Sequence, residues 1–214
     1  MARTFRHWSP TYVRDRVLVQ INLWRNANDP WLTKEAIGLL CRLLRPEDAG
    51  FEWGSGRSTV WFAARTGHLT SVEGNKVWHE RVGTRLRGAG ITNVDYQFHP
   101  IDGLDEARAA DAPYVQAVGK LADVSLDYAL IDGWARDFCA LRVLPKLKPG
   151  AMIILDNANW YLTPPADFAR APKTRKPNEG PVNTNWKDFA DSVSAWRRVW
   201  TTDGVTSTLI LFKP

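Results

Sequence analysis

The chain has 214 residues, a formal net charge of +5, 44% hydrophobic and 24% charged residues. That length suits one well-buried α/β domain and is short for two. No apolar run approaches the ~20 residues of a membrane span, and residues 1–25 hold Arg3, Arg6, Arg14, Arg16 and Arg25 without the apolar stretch and cleavage site of a signal peptide. A soluble, cytoplasmic protein with no membrane partner is therefore expected. Cys41 and Cys139 have no metal-ligand spacing and fall in apolar helical contexts, which suits buried free thiols in a reducing compartment. The positive charge is spread thinly, and only Lys173-Thr174-Arg175-Lys176 is compact, so charge alone does not favour nucleic acid. Among the 11 tryptophans, Trp61, Trp196 and Trp200 read as core.

Ser9-Pro10 opens the first helix as cap and first-turn proline, and Val13, Val17, Ile21 and Trp24 continue it as one apolar stripe to about Asn26. Asp29-Pro30 breaks it; Thr33 then caps a second helix through Leu44, with Ile37, Leu40 and Leu44 on one face. From Gly50 strands are expected at 50–53, 69–73, 93–98, 126–131 and 151–155, with helices at 58–65, 76–87, 104–121 and 136–147 between them. The fourth and fifth strands are largely apolar, as strands covered on both faces should be. Residues 160–186 contain Pro164, Pro165, Pro172, Pro177 and Pro181 and read as a long loop. A helix at 186–195 and two strands at 198–201 and 206–212, turning at Asp203-Gly204, then close the sheet.

The fold class that follows is α/β: a Rossmann-like, doubly wound, mostly parallel sheet of about seven strands, the last antiparallel, with helices on both faces and extra N-terminal helices. A single domain spans 1–214, with 1–48 as a helical cap and 158–190 as a Pro-rich acceptor loop or lid.

Chemistry concentrates where such sheets bind ligands, at the carboxyl ends of the strands. Those ends carry Glu52, Glu73, Asp102, Asp132 and Asp156-Asn157. In Phe51-Glu52-Trp53-Gly54-Ser55-Gly56-Arg57-Ser58-Thr59, an acid closes a strand and Gly-x-Gly opens a helix, which allows a tight turn and close ligand approach. The acid at Glu73, nineteen residues after Gly54, can accept hydrogen bonds from ribose hydroxyls. Acids at such ends also cap helices, and Asp102-Gly103 is equally a turn. Thr59 stands where a dinucleotide-binding loop has its third glycine, and His79 and His99 belong to no metal or triad motif.

Together these residues resemble the cofactor half of class I S-adenosylmethionine (SAM)-dependent methyltransferases, over roughly residues 50–157. The resemblance implies S-adenosyl-L-methionine as cofactor. Gly54, Ser55, Gly56 and Ser58 would lie along it, Glu52 would hold the loop or the methionine amino group through water, Glu73 would bind the ribose, and Asp102 would lie near the adenine. Asp132-Gly133-Trp134, Asp156-Asn157 and Glu73-Gly74-Asn75 are similar to the corresponding runs of catechol-type O-methyltransferases. That likeness implies Asp132, Asp156 and Asn157 as ligands of Mg²⁺, with Trp134 flanking adenine or acceptor. The family's lysine base is absent, since Ala135 stands there, so Asp132 or Asp156 is left to orient or deprotonate the nucleophile. The implied activity is methyl transfer to a small-molecule hydroxyl. RNA or other nucleic-acid methylation and nicotinamide-dependent oxidoreduction are the alternatives, and the oligomeric state is left open.

Overall fold

The computed structural model describes residues 9–169, 171–176 and 178–214, so the expectations for Arg3, Arg6 and Pro177 lie outside the described residues. Helix α1 (Pro10–Arg25) starts where expected, with the Ser9 hydroxyl accepting the Tyr12 N–H. Helix α2 (Lys34–Leu43) is capped by Thr33. The alternating body then runs β1 (Ala49–Trp53), α3 (Arg57–Ala63), β2 (His68–Glu73), α4 (Lys76–Gly88), β3 (Val94–Phe98), α5 (Pro113–Gln116), β4 (Leu126–Ile131), α6 (Arg136–Val143) and β5 (Leu147–Asp156). It ends with α7 (Thr184–Ser192), β6 (Arg197–Thr202) and β7 (Ser207–Phe212). The strand order is β3-β2-β1-β4-β5-β7-β6, with β7 antiparallel to both neighbours and the other five of its companions in the β3-to-β5 block mutually parallel.

Period-two alternation splits the core between the two faces. Ile131, Ile153, Leu155, Leu209 and Leu211 pack with Tyr114, Cys139, Val143, Trp186 and Phe189. Leu130, Met152, Ile154 and Ile210 pack on the other face with Ala36, Leu40, Trp61 and Phe62. Because both faces of β4 and β5 are covered, the ligand crevice is confined to the strand ends, and the reversal of strand order between β1 and β4 opens it there.

Four expectations are corrected. Residues 104–121 do not form one helix: 3₁₀ turns at Glu106–Asp111 and Ala117–Lys120 flank the single turn of α5, because Pro113 cannot supply a mid-helix N–H. Helix α6 stops at Val143, ahead of Pro145, and β5 begins at Leu147, earlier than expected. The stripe of α1 does not pack into the core; Val17 is 52% and Trp24 79% exposed, while Tyr12 and Asp15 are its buried residues. Cys41 is exposed rather than buried.

Candidate functional site

At the end of β1 the chain turns at Gly54, whose φ of +86° favours glycine. A Cβ there would lie 2.7 Å from both N and Cα of Gly133, so the loop and the segment after β4 meet backbone to backbone. The Asp132 N–H donates to Trp53 O at 3.0 Å, and the Gly54 N–H to Val72 O at 2.9 Å, fixing the loop between β4 and β2. Gly56 carries no such requirement, since its backbone is extended and nothing lies closer than 3.9 Å to the place of a Cβ.

The two acids closing β1 and β2 have different tasks. Glu52 is fully buried, and its Oε2 accepts from the hydroxyls of Thr59 and Ser71, each at 2.6 Å, with Ser58 as a further hydroxyl partner. Thr59 Oγ1 in turn accepts the Gly56 N–H at 2.9 Å. Glu52 thus clamps the loop from beneath without lining the cleft, and burial raises its pKa to about 7. This assigns Thr59, the departure from a dinucleotide fingerprint, a structural job.

Glu73 does line the cleft. Its Oε1 accepts the Gly74 and Asn75 N–H groups, both at 2.8 Å, and its Oε2 accepts the Ser55 N–H at 3.1 Å and hydroxyl at 2.8 Å. Four donors fix the carboxylate plane at the loop's edge. The indole N–H of Trp78 donates to Ser55 O at 2.6 Å and ties α4 to the same loop.

At the ends of β4 and β5, Asp132, Asp156 and Asn157 come together as predicted, but around a side chain. Arg136 Nη2 donates to Asp132 Oδ1 at 2.7 Å and to Asp132 O at 2.8 Å. Its Nη1 donates to Asp156 O at 2.7 Å and Asn157 Oδ1 at 3.3 Å, and its Nε to Gly133 O at 3.0 Å. All five guanidinium N–H donors are used. Asp156 is almost completely buried, and burial together with the neighbouring Asp132 charge pushes its pKa well up. Burial also raises Asp132, against the opposing pull of Arg136. Burial and mutual repulsion thus disfavour charge on Asp156 more than on Asp132, whose carboxylate is paired with Arg136.

This geometry does not support the Mg²⁺ reading. Two of the three expected ligand side chains, Asp132 and Asn157, already give an oxygen to a fixed cation, and among the described residues no group of three His, Cys, Asp or Glu side chains is arranged to hold a metal. Two other expected residues also lie outside the cleft lining. Asp102 sits in an exposed turn. Trp134 packs edge-on against Tyr114, with ring centroids 6.0 Å apart.

The cleft has a volume of about 720 Å³ and runs from Asp132, Arg136, Asp156 and Asn157 past residues 54–58 and Glu73 to Trp31, Trp78, Arg81 and Arg85. Sequence reasoning missed this outer rim. Trp31 lies between α1 and α2, far from any motif, whereas Trp78 follows Asn75 by one helical turn and was findable from Glu73-Gly74-Asn75. Among the described residues, nothing from 158–190 lines the cleft, so the expected lid is not seen over it. That loop is pinned elsewhere, with Arg175 N–H to Asn159 O, Val182 N–H to Tyr161 O, and Asn183 and Asn185 amides to Asp137. His79 stacks on Tyr96 at 4.3 Å, and neither it nor His99 lines the cleft.

No family model matches the chain, and no curated protein matches it by sequence. Solved structures do match its fold. A Corynebacterium glutamicum protein superposes with a TM-score of 0.56 at 14% identity, covering 100% of this chain and 92% of its own. A methyltransferase-like protein from Silicibacter pomeroyi gives 0.55 at 16% identity, covering 87% and 89%. A candidate methyltransferase from Streptococcus mutans, in complex with SAH, gives 0.50 at 11% identity, covering 83% and 94%. The fold is that of the class I SAM-dependent methyltransferases. No helix of the described residues is long and apolar enough to cross a membrane.

Proposed function

We propose that this chain is a SAM-dependent methyltransferase acting on a hydroxyl oxygen of a small molecule. The observation that carries the reading is the Glu73–Ser55 junction at the switch point. A cleft-lining carboxylate held in plane by four donors sits beside a glycine turn that leaves backbone exposed to a ligand. Glu73 would accept the ribose hydroxyls, with Gly54, Ser55 and Gly56 along the methionine portion and Ser58 at the start of α3. SAM would supply the electrophilic sulfonium methyl. With SAM bound, an acceptor oxygen would take that methyl, the O–CH₃ bond forming as the S–CH₃ bond breaks and its electrons return to sulfur. The hydroxyl proton passes to the Asp132 carboxylate, which faces the cleft and is more basic than usual. Arg136 holds the Asp132 carboxylate in place and offsets its charge.

The cleft volume lies within the range of small-molecule sites, ~300–1,000 Å³. Calorimetric titration with SAM, S-adenosylhomocysteine (SAH), NAD and NADP tests the reading. SAM and SAH are expected to bind and the nicotinamide cofactors not; a preference for NAD would overturn it.

A further inference from the structure

The outer rim of the cleft carries a charge that the cofactor does not explain. Arg57, Arg81 and Arg85 all line it. Among the described residues, none of the three has a carboxylate within 4.0 Å. Their hydrogen bonds go to neutral oxygens: Arg57 Nη1 to Leu23 O at 3.5 Å and Arg85 Nη2 to Asn28 Oδ1 at 3.1 Å. Arg81 and Arg85 repeat at i,i+4 on α4, a like-charge spacing that disfavours the helix.

Two indoles connect these guanidiniums into one surface. Arg57 lies over the Trp31 ring at 5.7 Å, Arg81 over the Trp78 ring at 5.0 Å, and the two rings are 6.4 Å apart. Cation–π contact holds the guanidiniums against the rings without neutralising them. SAM brings one carboxylate but two cationic centres, an ammonium and a sulfonium. Three unpaired guanidiniums therefore exceed what it can use and would repel its net positive charge.

The geometry points to the rim as the acceptor-binding site, specific for a planar acceptor bearing a phosphate or carboxylate. The anion is held by Arg81 and Arg85 with Arg57, and the flat portion lies against Trp31 and Trp78. This rests on the methyltransferase reading for its role, but not for the binding itself. A guanidinium pairs with either anion through two parallel N–H donors, so the two anion types are separated by experiment. The cleft's volume of about 720 Å³ suits a small molecule, whereas a nucleic-acid strand would need basic residues continuing beyond it.

The test is calorimetry of phenyl phosphate, benzoate and benzyl alcohol on the SAH-saturated protein and on the Arg81→Gln/Arg85→Gln variant. At least one of the two anions is expected to bind about tenfold or more tightly than benzyl alcohol, and the tighter one names the group recognised. In the variant this preference is expected to vanish while SAH affinity stays within about twofold. Anions bound no better than benzyl alcohol, or an unchanged preference in a variant that still binds SAH, would overturn the proposal. A single-stranded RNA bound more tightly than either anion, with a steep salt dependence, would also overturn it by assigning the rim to nucleic acid. If SAH fails to bind the wild type while the anion preference persists and depends on the arginines, the site stands and the methyltransferase reading falls.

Discussion

The two halves of the sheet's carboxyl edge hold their acids by opposite means. On the β1–β2 side, Glu52 and Glu73 are held by neutral donors, hydroxyls on one oxygen of the first and mainly backbone N–H groups for the second. On the β4–β5 side, Asp132 and the Asp156 backbone carbonyl share one guanidinium. Neutral donors are local and come with the turn itself. A guanidinium that spans two strand ends couples them, so one substitution should disturb both.

The largest effect is therefore expected from Arg136→Ala, which leaves Asp132 without its cation and five acceptor contacts unfilled. Loss of one partner of such a pair costs about 3–5 kcal/mol, readable as a lower midpoint in urea unfolding. A midpoint equal to wild type would show that Arg136 does not hold the two ends together.

Glu52 gives the next effect, in pH dependence. Its folded pKa of about 7 stands above the ordinary glutamate value of 4.5, so the folded state binds the extra proton between these values. Stability then falls as pH rises through that window, by roughly 3 kcal/mol from this group at 1.36 kcal/mol per unit. Glu52→Gln is expected to remove that slope in urea titrations at pH 5 and pH 8. An unchanged slope would place the titrating group elsewhere.

For Glu73→Ala, SAH binding is expected to weaken by about 1–3 kcal/mol, the cost of losing hydrogen bonds to a buried partner. Calorimetry reads this directly, and unchanged affinity would remove Glu73 as the ribose ligand. The smallest effect is expected from chelation. With Arg136 in the cation position, activity on an identified acceptor should be the same in EDTA as in added Mg²⁺. Activity that disappears in EDTA and returns with Mg²⁺ would show that the guanidinium yields its place to a metal.

The contrast also marks which positions at the strand ends could be located from sequence. Glu52, Gly54 and Glu73 were legible because each lies in a short run whose neighbours supply its partners: Thr59, Ser71, Ser55, Gly74 and Asn75 are all close in sequence to the acid, the loop or its adjacent strand. Asp132, Asp156 and Asn157 were legible as a convergence, since parallel neighbouring strands must end side by side. Their chemistry was not. Ala135 was read as a missing base, whereas Arg136, one position on, fills the space between the strands because Ala135 adopts a left-handed backbone conformation at the start of α6. No spacing rule foretells that turn.

By itself, the sequence determined the strand–helix alternation, the closing antiparallel pair and the identity of the acids at the strand ends. Those properties follow from side-chain periodicity and turn residues a few positions apart. Tertiary structure alone decided that a guanidinium stands among Asp132, Asp156 and Asn157, that among the described residues none of 158–190 lines the cleft, and that Trp31 and Trp78 form one rim with three arginines. These depend on groups distant in the chain meeting in space, with hydrogen-bond and charge demands that must be met together, and one-dimensional spacing does not encode them.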